Sequence, residues 1–219
     1  MTTSARSPDL LERHRDLRRL REMALGFGIG SVLFGAGAAC AITSAATNLI
    51  NVLYAVGAVF FTFAAGVQLF TALDHRPQDE RVGLHKAIRN PDLMSAAIQL
   101  VGTVYFNAMT IRALLDANYA SIWTPDVLGS MAFLISSGIA WYPIARERRH
   151  ALVSLKSRAI CWANLAGSIF FALSAWGAEL LAPGVYRSIY WDNAGTLLGA
   201  IGFLVASVLL WPERTSDAT

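Results

Sequence analysis

Four amides set inside apolar stretches are the residues of this sequence best placed to do chemistry. Gln68, Gln99, Asn107 and Asn164 each stand among long runs of uncharged residues. A polar group with apolar neighbours must find a partner, either on another helix or in a solute passing between helices. Hydrogen bonds between helices are the plainer role, worth about 0.6 kcal/mol each. A polar path for a substrate is the other.

The remaining reactive side chains offer less. His14, His75, His85 and His150 all fall in polar segments. A haem held inside a membrane bundle needs axial ligands facing each other there, and no apolar run contains a histidine. His75 and His85 with Asp74 and Asp79 match no closed metal site, so a solvated loop is expected. No metal and no cofactor is assigned. Cys40 and Cys161 should differ in depth by roughly 24 Å, beyond disulfide reach, which leaves two free thiols. Arg112 and Asp116, four apart, are expected to pair, and Glu179 to be solvated. Nucleotide-binding loops, a Ser/His/Asp set and paired-cysteine motifs are all missing from the sequence. No catalytic residue, enzymatic activity or nucleic-acid partner is therefore read.

The elements that must position these residues are helices made for lipid. Apolar residues form 55% of the 219-residue chain and charged residues 15%, against about 25% charged in soluble domains. No charge interrupts residues 23–44, 51–73, 93–111, 127–145, 159–178 or 193–211. Each run approaches or reaches the ~20 residues needed to cross a bilayer core of ~30 Å. Of the 18 basic residues, all but Arg112 and Arg187 fall at one side of such a bundle. The positive-inside rule makes that side, with both termini, cytoplasmic. Its partners are then the bilayer, with anionic headgroups attracted to the basic rim, and a membrane-protein partner or a second copy of the chain. Trp141, Trp162 and Trp211 at one boundary and Trp123, Trp176 and Trp191 near the other read as aromatic belts.

One motif recurs in every run. A Gly, then a small residue, then a Phe four after the Gly appears as Gly30/Phe34, Gly57/Phe61, Gly102/Phe106, Gly129/Phe133, Gly167/Phe171 and Gly199/Phe203. Residues four apart share a helix face. Glycine there admits a neighbouring backbone, and small residues dominate such contacts because lipid gives helices no hydrophobic reason to associate. These twelve residues are the expected helix-packing set, extended by Gly26 and Gly195. Gly138 and Gly177, outside the motif, are expected to tolerate a larger side chain. The period is that of a repeat architecture. The fold class is all-α integral membrane: six transmembrane helices as three tandem two-helix hairpins in parallel orientation, an arrangement that permits a quasi-threefold bundle. Residues 1–22 form a charged cytoplasmic segment, helical over Leu10–Met23 with Asp9 as its cap. Hairpins cover 23–73, 93–146 and 158–211. Cytoplasmic loops 74–92 and 147–157 separate them, and 212–219 is the tail.

The halves Gly129-Ser-Met-Ala-Phe133-Leu-Ile-Ser136-Ser137 before Pro143, and Gly199-Ala-Ile-Gly-Phe203-Leu-Val-Ala206-Ser207 before Pro212, resemble the YrhK-like domain of small bacterial membrane proteins. The first copy has no Pro at the matching distance, Pro77 coming later. The resemblance implies a multi-pass protein of a bacterial plasma membrane and transfers no catalytic residue. A non-enzymatic scaffold or accessory subunit is the first functional expectation. A small transporter or channel with a polar path near Gln68, Gln99, Asn107 and Asn164 is the alternative.

Overall fold

The computed structural model describes residues 8–75, 89–146 and 154–212. Six helices carry it: α1 Pro8–Ile42, α2 Thr47–Asp74, α3 Pro91–Leu114, α4 Tyr119–Arg146, α5 Leu155–Gly177 and α6 Ile189–Leu210. All six are long and apolar enough to cross a membrane, so this is a multi-pass, all-α membrane protein. Local chemistry sets several starts. The Asn90 side chain accepts from the Asp92 and Leu93 amides ahead of Pro91, whose missing N–H costs nothing in a first turn. Ser154 and Ser188 cap α5 and α6 in the same way. Short links join α1 to α2 and α3 to α4, with Ser44 and Asp116 at positive φ. The α5–α6 link is a small antiparallel hairpin of β1 Leu180–Ala182 and β2 Val185–Tyr186, turned at Gly184 with φ +75°. The end of the bundle that holds these three links is the link end. The opposite end, which holds the start of α1 and the end of α6, is the terminal end.

Each helix packs against its neighbours in sequence, and α1 also packs against α6, so the six contacts form a ring. Within each consecutive pair the motif glycines face one another. A Cβ added at Gly30 would lie 3.0 Å from the Gly57 carbonyl oxygen, one at Gly129 would lie 3.1 Å from that of Gly102, and one at Gly167 3.0 Å from that of Gly199. The phenylalanine of one helix rests on the glycine of its partner: Phe61 on Gly30, Phe34 on Gly57, Phe133 on Gly102, Phe106 on Gly129, Phe203 on Gly167 and Phe171 on Gly199. The residue two after each glycine (Val32, Val59, Val104, Met131, Ile169, Ile201) is apolar and 44–60% exposed, the face a lipid-bathed helix turns outward. Gly26 and Gly195 extend the close crossings, meeting Ala64 and the Phe170 carbonyl.

Four expectations need correction. First, the charged N-terminal segment is helical over Leu10–Met23 as expected, but the helix does not end there: α1 runs unbroken for 35 residues. No Pro or Gly interrupts it before Gly26, and at ~1.5 Å per residue it is far longer than a bilayer core. Its first turns are held against the end of α2 by Arg19–Asp74 at 2.6 Å and Asp16–His75 at 3.4 Å. The Thr71 carbonyl, aided by Asp16, keeps the His75 imidazole charged to higher pH than usual. Second, Gly177 lies against α6: a Cβ there would come 2.6 Å from the Asp192 amide nitrogen, whereas one at Gly138 meets nothing within 4 Å. Third, the Arg112 guanidinium does not pair with Asp116 among the described residues. It donates to the Ser121 carbonyl at 3.1 Å, the group that Pro125, lacking an N–H, cannot satisfy. Fourth, Glu179 is likewise engaged, by Arg187 at 2.5 Å. His85, Asp79 and the Asp9 side chain lie outside the described residues.

Candidate functional site

The helical period converts the motif into a lining. Positions −7, −3, +4 and +11 relative to each glycine fall on one face, and in this ring that face looks along the central axis. Alternate helices run in opposite directions, so position −3 points to the terminal end on α1, α3 and α5 and to the link end on α2, α4 and α6. The first set is Phe27, Gln99 and Asn164. The second is Tyr54, Asp126 and Thr196. Each set lines its own cavity.

Between the cavities stand the six motif phenylalanines, all 0–4% exposed. They form two triangles of rings. Phe34, Phe106 and Phe171 have centroids 6.1, 5.8 and 5.8 Å apart. Phe61, Phe133 and Phe203 lie 6.1, 5.5 and 5.9 Å apart. Within each hairpin the triangles touch at 5.0–5.4 Å. Seven of these nine pairs are edge-to-face and two are tilted, and edge-to-face pairs add about 0.5–1.5 kcal/mol each beyond their area. The stack is an apolar barrier across the axis.

The terminal-end cavity is about 190 Å³. Three of the four amides singled out from the sequence, Gln68, Gln99 and Asn164, line it together with Ser95, Ser136 and Ser137. Ser95 and Ser136 exchange hydrogen bonds with each other's carbonyls at 3.1 and 2.8 Å, and Ser137 Oγ meets Ser168 Oγ at 2.7 Å. Cys161 lines the same cavity, and both cysteines are free. Asn107 is not among these residues, which corrects its inclusion in a single polar path. It sits five after Gly102, off the axial face. Its amide donates to Thr62 Oγ1 at 2.6 Å and the Ala58 carbonyl at 3.2 Å on α2.

The link-end cavity is larger, about 630 Å³. Its acidic lining is Asp116, Asp126 and Asp192, and its aromatic lining includes Tyr54, Tyr119 and Trp123. Position −6 of the even helices supplies Asn51, Trp123 and Asn193. Asn51 donates to the Ala113 carbonyl at 3.2 Å and Trp123 Nε1 to that of Ala175 at 2.9 Å, tying neighbouring hairpins together. Tyr119 donates to the Ala178 carbonyl. Trp123, expected from the sequence in an aromatic belt, is thus a wall of the cavity. Gly37 lets the Tyr54 ring lie against α1, since a Cβ there would come 2.6 Å from it. Ser174 Oγ bonds the Asp192 carbonyl at 2.6 Å and Thr196 Oγ1 at 2.7 Å.

Sequence reasoning missed Asp126 and Asp192 because each stands one residue before a charge-free run. The offset would have found Asp126: it precedes Gly129 by three, as Gln99 and Asn164 precede Gly102 and Gly167. No family model matches the chain, and no curated protein or solved structure matches it either. The resemblance to the YrhK-like domain therefore rests on the motifs themselves.

Proposed function

We propose that this chain is a small transporter or channel of a bacterial plasma membrane, with both termini in the cytoplasm. The observation that carries the reading is the axial stripe. The same helix positions from all three hairpins line two cavities at opposite ends of one axis, each mostly apolar but holding amide, hydroxyl or carboxyl side chains, and six phenylalanine rings divide them. Bundles that exist only to pack have no need of amides, hydroxyls and carboxylates converging on their axis, where each demands a partner. The basic residues support the orientation, since among the described residues only Arg112 and Arg187 of the basic side chains lie on the link side. The larger cavity then opens outward and the smaller inward. A solute leaving the first for the second must displace the rings, so they act as the gate. A scaffold or accessory subunit, which would need only dry helix contacts, is the competing reading.

Cysteine accessibility in sealed vesicles of known orientation separates the two. In a Cys40→Ser, Cys161→Ser background, Thr196→Cys should react with a membrane-impermeant methanethiosulfonate added outside, and Gln99→Cys with the same reagent added inside. A transport protein requires water at both sites. If neither thiol reacts from either face, the axis is dry and the scaffold reading stands.

A further inference from the structure

The link-end cavity combines three features that together specify a ligand. The first is a set of carboxyl groups with no cationic side chain beside them among the described residues. Asp126 and Asp192 line it, and exposed Asp116 lies at its rim. The basic residues of this end are engaged elsewhere, Arg112 on the Ser121 carbonyl and Arg187 on Glu179 and the face of Trp176. Among the described residues no ion pair reaches Asp126 or Asp192. Carboxyl groups withdrawn from water in this way either hold a proton or take a cation in its place.

The second feature is independent. Four of the six motif glycines are followed by a hydroxyl residue, each no more than 1% exposed. Ser31 and Thr103 bond back to carbonyls of their own helices at 2.7 Å, and Ser168 bonds Ser137 at 2.7 Å. Ser130 also lines the link-end cavity, and its buried Oγ has no hydrogen-bond partner. A buried hydroxyl left in this state costs about 1–3 kcal/mol, so its placement beside the Asp126 turn points to a group outside the protein. The third feature is the wall of Tyr54, Tyr119 and Trp123, since aromatic faces attract cations.

We infer that the link-end cavity binds a small organic cation bearing N–H bonds, a primary or secondary ammonium. Its charge is met by Asp126 and Asp192, one N–H is accepted by Ser130 Oγ, and its carbon skeleton lies against the aromatic wall. A quaternary ammonium would satisfy the charge and leave the hydroxyl unmatched. A bare metal ion fits poorly in a space of about 630 Å³, and among the described residues no three His, Cys, Asp or Glu side chains cluster as metal ligands do. The assignment deepens the transport reading and rests on it for an outward-open, hydrated cavity.

The test uses the full chain in proteoliposomes with Thr196→Cys as reporter and a series of probes from methylammonium to benzylammonium. At least one primary ammonium should slow methanethiosulfonate labelling and raise the thermal midpoint of the purified protein. Benzyl alcohol and benzoate should do neither, and benzyltrimethylammonium should protect more weakly than benzylammonium. Asp126→Asn and Asp192→Asn should each weaken protection on the order of tenfold, and Ser130→Ala should narrow the gap between benzylammonium and its quaternary analogue. Protection by benzoate or benzyl alcohol equal to that by benzylammonium overturns the inference. So does protection unchanged in both Asp variants, and so does labelling that no ammonium slows. The outcomes for the two readings stay apart. A reactive but unprotected Thr196→Cys sinks the cation site alone, an unreactive Gln99→Cys sinks transport alone, and an unreactive Thr196→Cys sinks both.

Discussion

Asn107 holds α3 to α2, and its geometry sets how much its loss should cost. The amide bonds Thr62 Oγ1 and the Ala58 carbonyl across the contact and the Thr103 carbonyl on its own helix. Replacement by Leu removes the two interhelical bonds. Thr62 Oγ1 keeps its bond to the Ala58 carbonyl at 3.0 Å, so no polar atom is orphaned and the loss stays near the sum of two membrane hydrogen bonds. Asn107→Leu should destabilise the protein in detergent by about 1–2 kcal/mol, measured by unfolding, and should leave Thr196→Cys labelling unchanged. A change in labelling would return Asn107 to the polar path. The four amides were legible in the sequence because amides stand out in apolar runs. Their separate roles were not, because role depends on which side of the helix faces the axis. Asp126 and Asp192 were hidden for a different reason: carboxylates at the edge of a charge-free run look like the solvated ends of a span.

At the scale of the helix, the motif makes a quantitative demand on glycine. A Cβ at Gly102 would fall 2.6 Å from the Phe133 ring, and one at Gly167 would lie 3.0 Å from both the Gly199 carbonyl and the Phe203 ring. Leu at either place must part the hairpin or shift a triangle of rings, and overpacking of this kind costs typically ~1–3 kcal/mol. Gly138 supplies the control, with open space around its Cβ position. Leu there gains about 0.8–1.0 kcal/mol of helix propensity at most and loses no contact. Gly102→Leu and Gly167→Leu should therefore lower the thermal midpoint in detergent while Gly138→Leu leaves it level or raises it. Equal losses at all three would mean that the Gly–Gly faces are not close crossings. Gly177 cannot serve as a second control, since its contact is with the α6 backbone. The six spans and their packing face could be read from the sequence because charge and the 3.6-residue period are local signals. The unbroken α1 was less visible: the change from charged to apolar residues resembles a boundary, but nothing in the backbone chemistry at that point ends a helix.

For the whole molecule, everything proposed about the axis depends on the ring being closed, and closure depends on the contact between α1 and α6. Those helices are the most distant in sequence, so nothing local enforces their meeting. The other inter-hairpin seams carry hydrogen bonds from Asn51, Asn107, Trp123 and Ser137. The α1–α6 seam is made by close approach. A Cβ at Gly28 would lie 3.8 Å from Ser207 Cβ, and one at Gly35 would lie 3.7 Å from Ala200 Cβ. Moving seven residues along α1 moves seven back along α6, the register of two antiparallel helices in continuous contact. Both separations match the Cβ distance of a disulfide, about 3.8 Å. In a background of Cys40→Ser and Cys161→Ser, the pair Gly28→Cys with Ser207→Cys should therefore oxidise within one chain, and so should Gly35→Cys with Ala200→Cys. The mismatched pair Gly28→Cys with Ala200→Cys, displaced by seven residues or ~10 Å of helix, should not. With a protease site inserted between α4 and α5, the linked chain should run as a single band after cleavage without reductant and as two fragments with it. A crosslink that doubles the mass would come from a second copy, and failure of both matched pairs would mean that α1 and α6 lie apart. An open ring would let lipid tails reach the phenylalanine triangles, and the two cavities would lose the wall that separates them.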